Sequence, residues 1–420
     1  MHLELFIGLR YLKAKRKSTF ISIITFISTA GVALGVMALI VVLAVMTGFE
    51  NDLKDKILGT NAHIVVIKSG APMEEYRTVM EKLQRFPGVQ AATPFIYNQV
   101  MLSSGKSVSG VVLRGIDVAT DRQVTRLSKS IVDGDIVGLE PKIIPGSETL
   151  PGLMVGKELA KHLSLFLGDK VNVISPMGNI TPLGMMPRMK PFRITGIFNT
   201  GMFEYDSTLA YISLGQAQRF FDLGDSVTGI QLKVADVYRT DELARSINRE
   251  MGMNFYARDW MQMNKNILFA LKTEKVVMFI ILTLIVLVAA FGIASTLFMV
   301  VMEKNRDIAI LKSMGATAAS IMKIFVLEGL IIGIIGTVCG VISGLLVALN
   351  LEPIINVIQK VTGQNFFNKD IYYLDRFPSL VVPYDVMLIS ITAILISFLA
   401  TIYPAWQASR MLPAEALRYE

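Results

Sequence analysis

The chain has almost none of the residues that build disulfides or metal sites. Cys339 is the only cysteine among 420 residues, so no intrachain disulfide can form. The three histidines, at positions 2, 63 and 162, are scattered and lack the spacing of metal ligands. We therefore expect no metal site, and any domain in this chain must be held together by its own hydrophobic core.

Motifs for catalysis and nucleotide binding are missing as well. The tripeptide 105–107, Gly-Lys-Ser, matches the end of a phosphate-binding loop, but Val100 stands where that loop requires glycine. No Ser/His/Asp, Cys/His or zinc-protease pattern is present in the sequence. We therefore predict that the chain is not an enzyme and binds no cofactor. Energy for any work must then come from another polypeptide.

Charge is absent from four long stretches of the chain. Hydrophobic residues make up 52% of the sequence and charged residues only 18%. The uncharged stretches are 18–49, 276–302, 329–351 and 386–409. Each covers the ~20 residues that a helix needs to cross a bilayer. The sequence therefore predicts four transmembrane helices, at 18–49, 273–302, 321–351 and 386–409.

Basic residues predict how these helices are oriented. Five of them precede the first helix: Arg10, Lys13, Lys15, Arg16 and Lys17. By the positive-inside rule, both termini and the 303–320 loop should be cytoplasmic, and 50–272 and 352–385 external. Residues 1–17 predict an interfacial helix on the inner leaflet, or a simple extension of the first helix; 410–420 is a cytoplasmic tail. This anchoring accounts for most of the net charge of +7, so we expect no nucleic-acid partner.

The external segment 50–272 alternates strand-like and helical pieces. Alternating apolar residues predict strands at 62–68, 108–115, 168–175, 192–198, 208–212 and 229–234, with short helices between them. This order predicts an α+β domain of two subdomains, roughly 50–120 with 227–272, and 121–226. The fold class is therefore four transmembrane α-helices with a large α+β domain inserted between the first and the second.

The charged stretch 303–316 lies between two apolar runs and allows two interpretations. It is either a solvated turn or an amphipathic coupling helix that docks a soluble partner, with Ile308, Ile310, Leu311 and Met314 along one side. The candidate docking residues are Glu303, Arg306, Asp307, Ile308, Leu311, Lys312, Met314 and Gly315.

A second informative segment is rich in proline, glycine and methionine. Prolines and glycines within 176–187 exclude a regular helix and disfavour a central strand. It is either a loop that tucks its apolar side chains against its own domain or one that exposes them for adaptable contacts. The apolar candidates are Met177, Ile180, Leu183, Met185 and Met186.

Small residues recur at helix-packing intervals in two of the apolar runs. They are Gly31 and Gly35 in the first, and Gly329, Gly333, Gly336, Gly340 and Gly344 in the third. They predict close helix packing, either within the chain or between subunits. Glu328 directly precedes the third run, at the start of the third predicted helix, and we expect it to lie at the inner interface beside Lys323 as an anchor.

Two motifs resemble a known superfamily. The stretch 303–316 and the tail 403–418 resemble permeases related to FtsX and the macrolide exporter, whose external domain is MacB-like. Residues 6–11 and 35–50 further resemble the lipoprotein-releasing permeases LolC and LolE. The resemblance covers essentially the whole chain.

This resemblance implies a function. In that family a dimer of permeases, formed with a second copy or a paralogue, pairs with two copies of a separate LolD-like ATPase that binds ATP and Mg. The complex extracts acylated lipoproteins from the inner membrane of Gram-negative bacteria and passes them to a periplasmic LolA-like carrier. Alternatives are an FtsX-like subunit that regulates a cell-wall hydrolase, and a macrolide or peptide exporter permease.

The resemblance also implies two binding sites. Segment 176–187, here called the hook, matches the loop that recruits the carrier. Its candidates are Pro176, Met177, Ile180, Pro182, Leu183, Met185, Met186 and Pro187, followed by Arg188 and Lys190. Ala38, Val42, Val45, Met46 and Phe49 form a stripe on the first helix that either packs or lines an acyl-chain cavity between two permeases.

Overall fold

The structure, a computed structural model, describes residues 19–105, 107–140, 150–181, 184–363 and 378–411. At 19–22, 177–181 and 184–185 it describes the backbone alone. The predicted interfacial helix 1–17, most of the tail 410–420, the middle of the 352–385 segment and the side chains at the centre of the hook therefore lie outside the described residues.

Helices and strands follow one another along the chain in a mixed order. The elements are α1 Thr19–Thr60, β1 Ile64–Lys68, α2 Tyr76–Gln84, β2 Val89–Ser103, β3 Val108–Ile116, α3 Val118–Val124, β4 Ile131–Gly134, β5 Gly152–Gly156, α4 Lys157–Leu163, β6 Lys170–Thr181, β7 Gly184–Phe198, α5 Phe203–Thr208, β8 Leu209–Ser213, α6 Leu214–Phe221, β9 Gly229–Val234, α7 Thr240–Met251, β10 Phe255–Asp259, α8 Trp260–Met263, α9 Lys265–Glu303, α10 Asn305–Ser313, α11 Ala318–Leu349, α12 Leu351–Thr362 and α13 Pro383–Arg410. Short 3-10 helices cover Leu127–Lys129 and Ile136–Leu139.

Four helices in the described part of the chain are long and apolar enough to cross a membrane: α1, α9, α11 and α13. They coincide with the four uncharged stretches. Because helix α1 continues beyond its apolar run to Thr60, it is longer than the sequence predicts. An ion pair of 3.0 Å between Lys56 and Asp52, one turn apart, supports this extension, and Ile57 is fully buried. Helix α12 was not predicted.

The glycines of α11 pack within the chain. A methyl group at Gly340 would lie 2.7 Å from the carbonyl oxygen of Ala33 in α1, so only glycine permits this approach. Gly336 and Gly344 contact the same helix, whereas Gly329 and Gly333 face α13. These glycines therefore allow close helix packing within the chain, one of the two alternatives that the sequence left open.

Ten strands of the described residues form one mixed sheet. Its order is β10-β1-β9-β2-β3-β8-β5-β7-β4, and β6 pairs with β2 and β7. Two pairs, β3 with β8 and β5 with β7, are parallel, and the other pairs are antiparallel. The sequence analysis did not predict β2, although this strand joins β9, β3 and β6.

The sheet does not divide at the predicted subdomain boundaries. Its main core contains Ile64 and Ile230 from the first predicted subdomain together with Leu153 and Phe192 from the second. A smaller core surrounds Phe198, and it again draws on both segments. The reason is that β2 and β3 pair with strands from the other segment.

Two compact units result. One contains the chain as far as Asn51 and most of the chain from Phe269 onward, with the long helices; the other contains Asp52–Leu268, with the sheet.

Candidate functional site

The stretch between α9 and α11 forms a short helix, α10, with one face buried against its own chain. Ile308 is 1% exposed and packs with Phe325 of α11 and Ala405 of α13, while Leu311 is partly buried in the same cluster. Helix α10 ends at Ser313, and Gly315 follows in the turn with a φ of +100°, which favours glycine.

Lys312 fixes α10 to the end of α13. Its Nζ donates hydrogen bonds to the carbonyl oxygens of Ser409, at 2.5 Å, and Met411, at 2.8 Å. The last carbonyl groups of a helix lack intrahelical hydrogen-bond donors, and the negative end of the helix dipole attracts a cation. Lys312 supplies both a donor and a positive charge at this position.

The predicted docking residues therefore divide between two faces. Ile308, Leu311 and Lys312 contact the chain itself, which corrects the prediction that Ile308, Ile310, Leu311 and Met314 share one side. Residues 308 and 310 are about 200° apart around a helix, so they point in opposite directions. The exposed residues are Arg306 and Ile310 of α10, Met314 directly after it and Glu303 at the end of α9; Ile310 is 45% and Met314 79% exposed.

Asp307 lies between these two faces. Its carboxylate is 3.4 Å from Nζ of Lys304, and the residue is half-buried. The acidic group in the first turn of α10 also complements the dipole of that helix. Asp307 therefore supports the helix locally.

The hook is part of a β-ribbon and not an irregular loop. Strands β6 and β7 pair from Lys170 with Arg193 to Thr181 with Gly184, with a register shift between Ser175 and Asn179. In the described residues, the part of β6 beyond Ser175 pairs with β7 alone. Prolines are tolerated there because no third strand needs their missing N–H groups.

Two basic residues predicted to bind a carrier have partners within the chain. Arg188 donates from Nη1 to the carbonyl oxygen of Phe220 at 2.8 Å, and its Nη2 is 3.6 Å from Oδ2 of Asp222. Lys190 donates to Oε1 of Gln216 at 3.3 Å. Burial, and to a smaller extent Arg219, lowers the pKa of Lys190. Both residues thus fix the base of the ribbon to α6.

The ribbon exposes two methionines to solvent, Met186 in its outer part and Met189 at its base between Arg188 and Lys190. Met186 is 58% and Met189 60% exposed, and Pro187 between them is exposed as well. Met177, Ile180, Pro182, Leu183 and Met185 lie outside the described side chains. Flexible thioether side chains on an exposed ribbon suit an apolar partner of variable shape.

The predicted stripe on α1 is closely packed at its small residues and less buried at its larger ones. Gly31 lies against Ala289 of α9, and Gly35 lies against Val286 of the same helix. The predicted cargo residues Ala38, Val42, Val45, Met46 and Phe49 are all half-buried. The fully buried side of α1 is a different one, and it includes Val36 and Ile40. The stripe is therefore a flank of the helix bundle.

Comparisons with known proteins agree with this architecture. The family model for the MacB-like periplasmic core domain matches residues 25–250, and that for the FtsX-like permease C-terminal region matches 279–413. The lipoprotein-releasing system transmembrane protein LolC of Neisseria meningitidis is 38% identical over 419 residues, with 100% of this chain and 99% of that protein covered.

Two further relatives give the same result. LolC of Xylella fastidiosa is 38% identical over 100% of this chain and 99% of its own length. LolE of Haemophilus influenzae is 29% identical over 99% of each chain. The chain belongs to the LolC/LolE family. The predicted resemblance and fold class are confirmed: the α+β domain between α1 and α9 is a MacB-like periplasmic core domain.

Glu328 is buried inside the helix bundle rather than exposed as an anchoring residue would be. It is 3% exposed, and its Oε2 has no hydrogen-bond partner among the described residues. Its spacing from Ile324 and Ile321, one and two turns earlier, could have indicated this, because both lie on the buried face of α11.

An aromatic group at the end of α13 was also missed. The Trp406 ring stacks on Tyr403 with centroids 6.2 Å apart, and the Arg410 guanidinium lies 4.1 Å from the Trp406 centroid. Both rings are exposed. Aromatic and basic side chains at the end of an apolar helix are typical of a membrane interface, which fits a permease.

Proposed function

We propose that this chain is the permease subunit of an ATP-driven complex that extracts acylated lipoproteins from the inner membrane and delivers them to a periplasmic carrier. The observation that carries the proposal is the full-length 38% identity to the LolC protein of Neisseria meningitidis. The membrane is the inner membrane of a Gram-negative bacterium. Both termini and α10 are on the cytoplasmic side, as the basic residues before α1 predict.

The motor is a separate ATPase subunit that binds ATP and Mg. The outward side of α10 supports this, because Ile310 and Met314 are exposed apolar residues in a stretch that also exposes the charged Glu303 and Arg306. Their position beside a well-packed inner face gives the partner a firm point of attachment. Movement of the ATPase would therefore be passed to α9, α11 and α13, which pack with α10.

The carrier binds the hook. Met186 and Met189 provide its apolar contacts, while Arg188 and Lys190 hold the ribbon to α6. A ribbon anchored at its base can present its outer part without refolding.

The cargo's acyl chains lie against the half-buried flank of α1, from Ala38 to Phe49. Each methylene that leaves water stabilises binding by about 0.8 kcal/mol, so several acyl chains are held firmly. A second permease, a copy or a paralogue, completes this apolar site. Release must overcome that affinity, which explains the need for ATP hydrolysis.

We propose that ATPase closure moves α10, that α1 and α9 transmit the movement, and that the site narrows and expels the lipid.

Replacing hook residues 176–187 with a short glycine turn tests this function. In proteoliposomes that contain the whole complex, transfer of lipoprotein to the carrier should stop while ATP hydrolysis continues. A photo-crosslinker at Met186 should capture the carrier, and one at Phe49 should capture lipoprotein. A regulator of a wall hydrolase or a drug exporter would not depend on the hook. If lipoprotein transfer to the carrier continues at the wild-type rate after the replacement, the proposal is refuted.

A further inference from the structure

One lysine connects three of the four long helices of the described chain. Lys275 of α9 donates from Nζ to Oδ2 of Asp385 in α13 at 3.0 Å and to Oγ1 of Thr47 in α1 at 3.2 Å. These three residues are called the Lys275 cluster. Thr47 is buried, and the side chains of Lys275 and Asp385 are only 31% and 19% exposed. Polar contacts, and not only apolar packing, thus join α1, α9 and α13.

The depth of the cluster follows from helix geometry. A second polar contact between α1 and α9 joins Oγ of Ser28 to Oγ1 of Thr296 at 2.7 Å. Ser28 and Thr47 are roughly 28 Å apart along α1, at 1.5 Å per residue. Ser28 lies ten residues inside the uncharged stretch 18–49, whereas Thr47 lies near the other end of that stretch and Lys275 directly precedes the stretch 276–302. The Lys275 cluster therefore lies at the end of both apolar runs that the basic residues predict to be external, the side from which cargo is taken.

The segment before α13 holds α1 at the same level. The backbone N–H of Leu380 donates to the carbonyl oxygen of Ala44 at 2.9 Å. A methyl group at Gly48 would lie 2.6 Å from the carbonyl carbon of Pro378, so this approach requires glycine. Ser379 donates from Oγ to the carbonyl oxygen of Ala348 in α11 at 2.8 Å.

These contacts set the direction of the proposed cargo residues. Val45, Met46 and Phe49 are sequence neighbours of Thr47 and Gly48 on the same helix. Contacts that hold Thr47 and Gly48 in place therefore also determine the direction in which these three apolar side chains point. The ion pair supports this arrangement, because losing one partner would leave an unpaired charge at the edge of an apolar bundle. Asp385 also lies in the first turn of α13, where the helix dipole favours its charge.

We propose that Lys275, Asp385 and Thr47 are positioning residues that hold this end of α1 in the orientation needed for lipoprotein release. ATP hydrolysis then moves the cargo only while Lys275 and Asp385 are paired. The inference rests on the proposed function. Its signature is uncoupling: without the pair, the ATPase still turns over but the flank of α1 no longer expels lipid.

Charge reversal and charge exchange test the proposal in the whole complex in proteoliposomes. Lys275→Asp and Asp385→Lys should each lower lipoprotein release at least tenfold while ATP hydrolysis stays within twofold of wild type. The double variant K275D/D385K restores an opposite-charge pair and should recover at least half of the release. Asp385→Asn, which keeps the shape and loses the charge, should also be uncoupled, and it serves if a reversal prevents folding.

Reversing the charges of the exposed pair Arg77 and Asp225 is the matched control, and it should change neither lipoprotein release nor ATP hydrolysis. The proposal is overturned if Asp385→Asn releases lipoprotein normally, if the double variant is no better than the single ones, or if hydrolysis falls in parallel with release. Failure of the wild-type complex itself to release lipoprotein would instead refute the proposed function.

Discussion

On α10, the direction of each side chain decides its role. Ile308 and Ile310 are chemically identical, yet Ile308 is in the core and Ile310 is at the surface. The sequence predicted that this stretch is amphipathic, but it places apolar residues on both faces. Choosing the inner face therefore requires knowing what α10 packs against.

Replacing Ile310 and Met314 together with aspartate should detach the ATPase. Burying two such side chains at an interface contributes roughly 3–6 kcal/mol, so their loss should weaken association by a hundredfold or more. Because both residues are exposed, the permease itself should fold normally. The measurement is the amount of ATPase subunit that copurifies with the tagged permease.

Met253→Asp is the control for this double variant, because Met253 is a fully exposed methionine in the other unit. It should leave copurification unchanged. By contrast, Ile308→Asp would place a charge in the core and should lower the yield of the permease itself. Full retention of the ATPase by the double variant would exclude this face as the docking site.

The intrachain contacts of the predicted hook residues involve partners distant in sequence. Arg188 and Lys190 are carrier-binding candidates by resemblance to the family. Their partners, Phe220 and Gln216, come from α6 and become neighbours only after the sheet has formed. No local pattern contains that information.

Among the elements, the long helices were the most predictable. Their apolar runs must match the bilayer thickness, so composition alone located α1, α9, α11 and α13. The ends were less predictable, because α1 continues through a charged stretch by means of intrahelical pairing and burial on the domain. The hook shows a similar limit, since prolines that exclude a central strand are compatible with an isolated ribbon.

Gly340→Leu should separate α1 from α11. The added side chain would meet the carbonyl oxygen of Ala33 and Cβ of Val36, each 2.7 Å from the first added carbon. Overpacking of this kind costs about 1–3 kcal/mol, and more where backbone must move. The expected result is a lower midpoint of thermal unfolding for the purified complex in detergent.

Cys339→Leu is a suitable comparison, because Cys339 is the neighbouring residue and is exposed. The same enlargement there should leave the unfolding midpoint close to that of wild type. Equal midpoints for the Gly340 and Cys339 variants would contradict the close approach of α1 and α11.

At the scale of the whole molecule, two helices belong to both compact units. Helix α1 passes Asn51 and α9 passes Phe269, the positions at which the units divide, without a break. At 1.5 Å per residue they are about 60 Å long, roughly twice the hydrocarbon thickness. The order of apolar and mixed segments predicted both units, but it gave no sign that the helices are continuous between them.

This continuity leads to a prediction about coupling. Inserting Gly-Gly-Ser between Asn51 and Asp52 should interrupt α1, because glycine in a helix interior is unfavourable and the insertion shifts every later residue around the axis. ATP hydrolysis by the assembled complex should continue, since α10 is untouched, whereas lipoprotein release should fall at least tenfold. The same insertion between the exposed residues Gly70 and Ala71 should be tolerated, because exposed loops accept added residues. If the α1 insertion releases lipoprotein at the wild-type rate, then movement of the membrane helices does not reach the periplasmic domain through α1, and α9 alone must carry it.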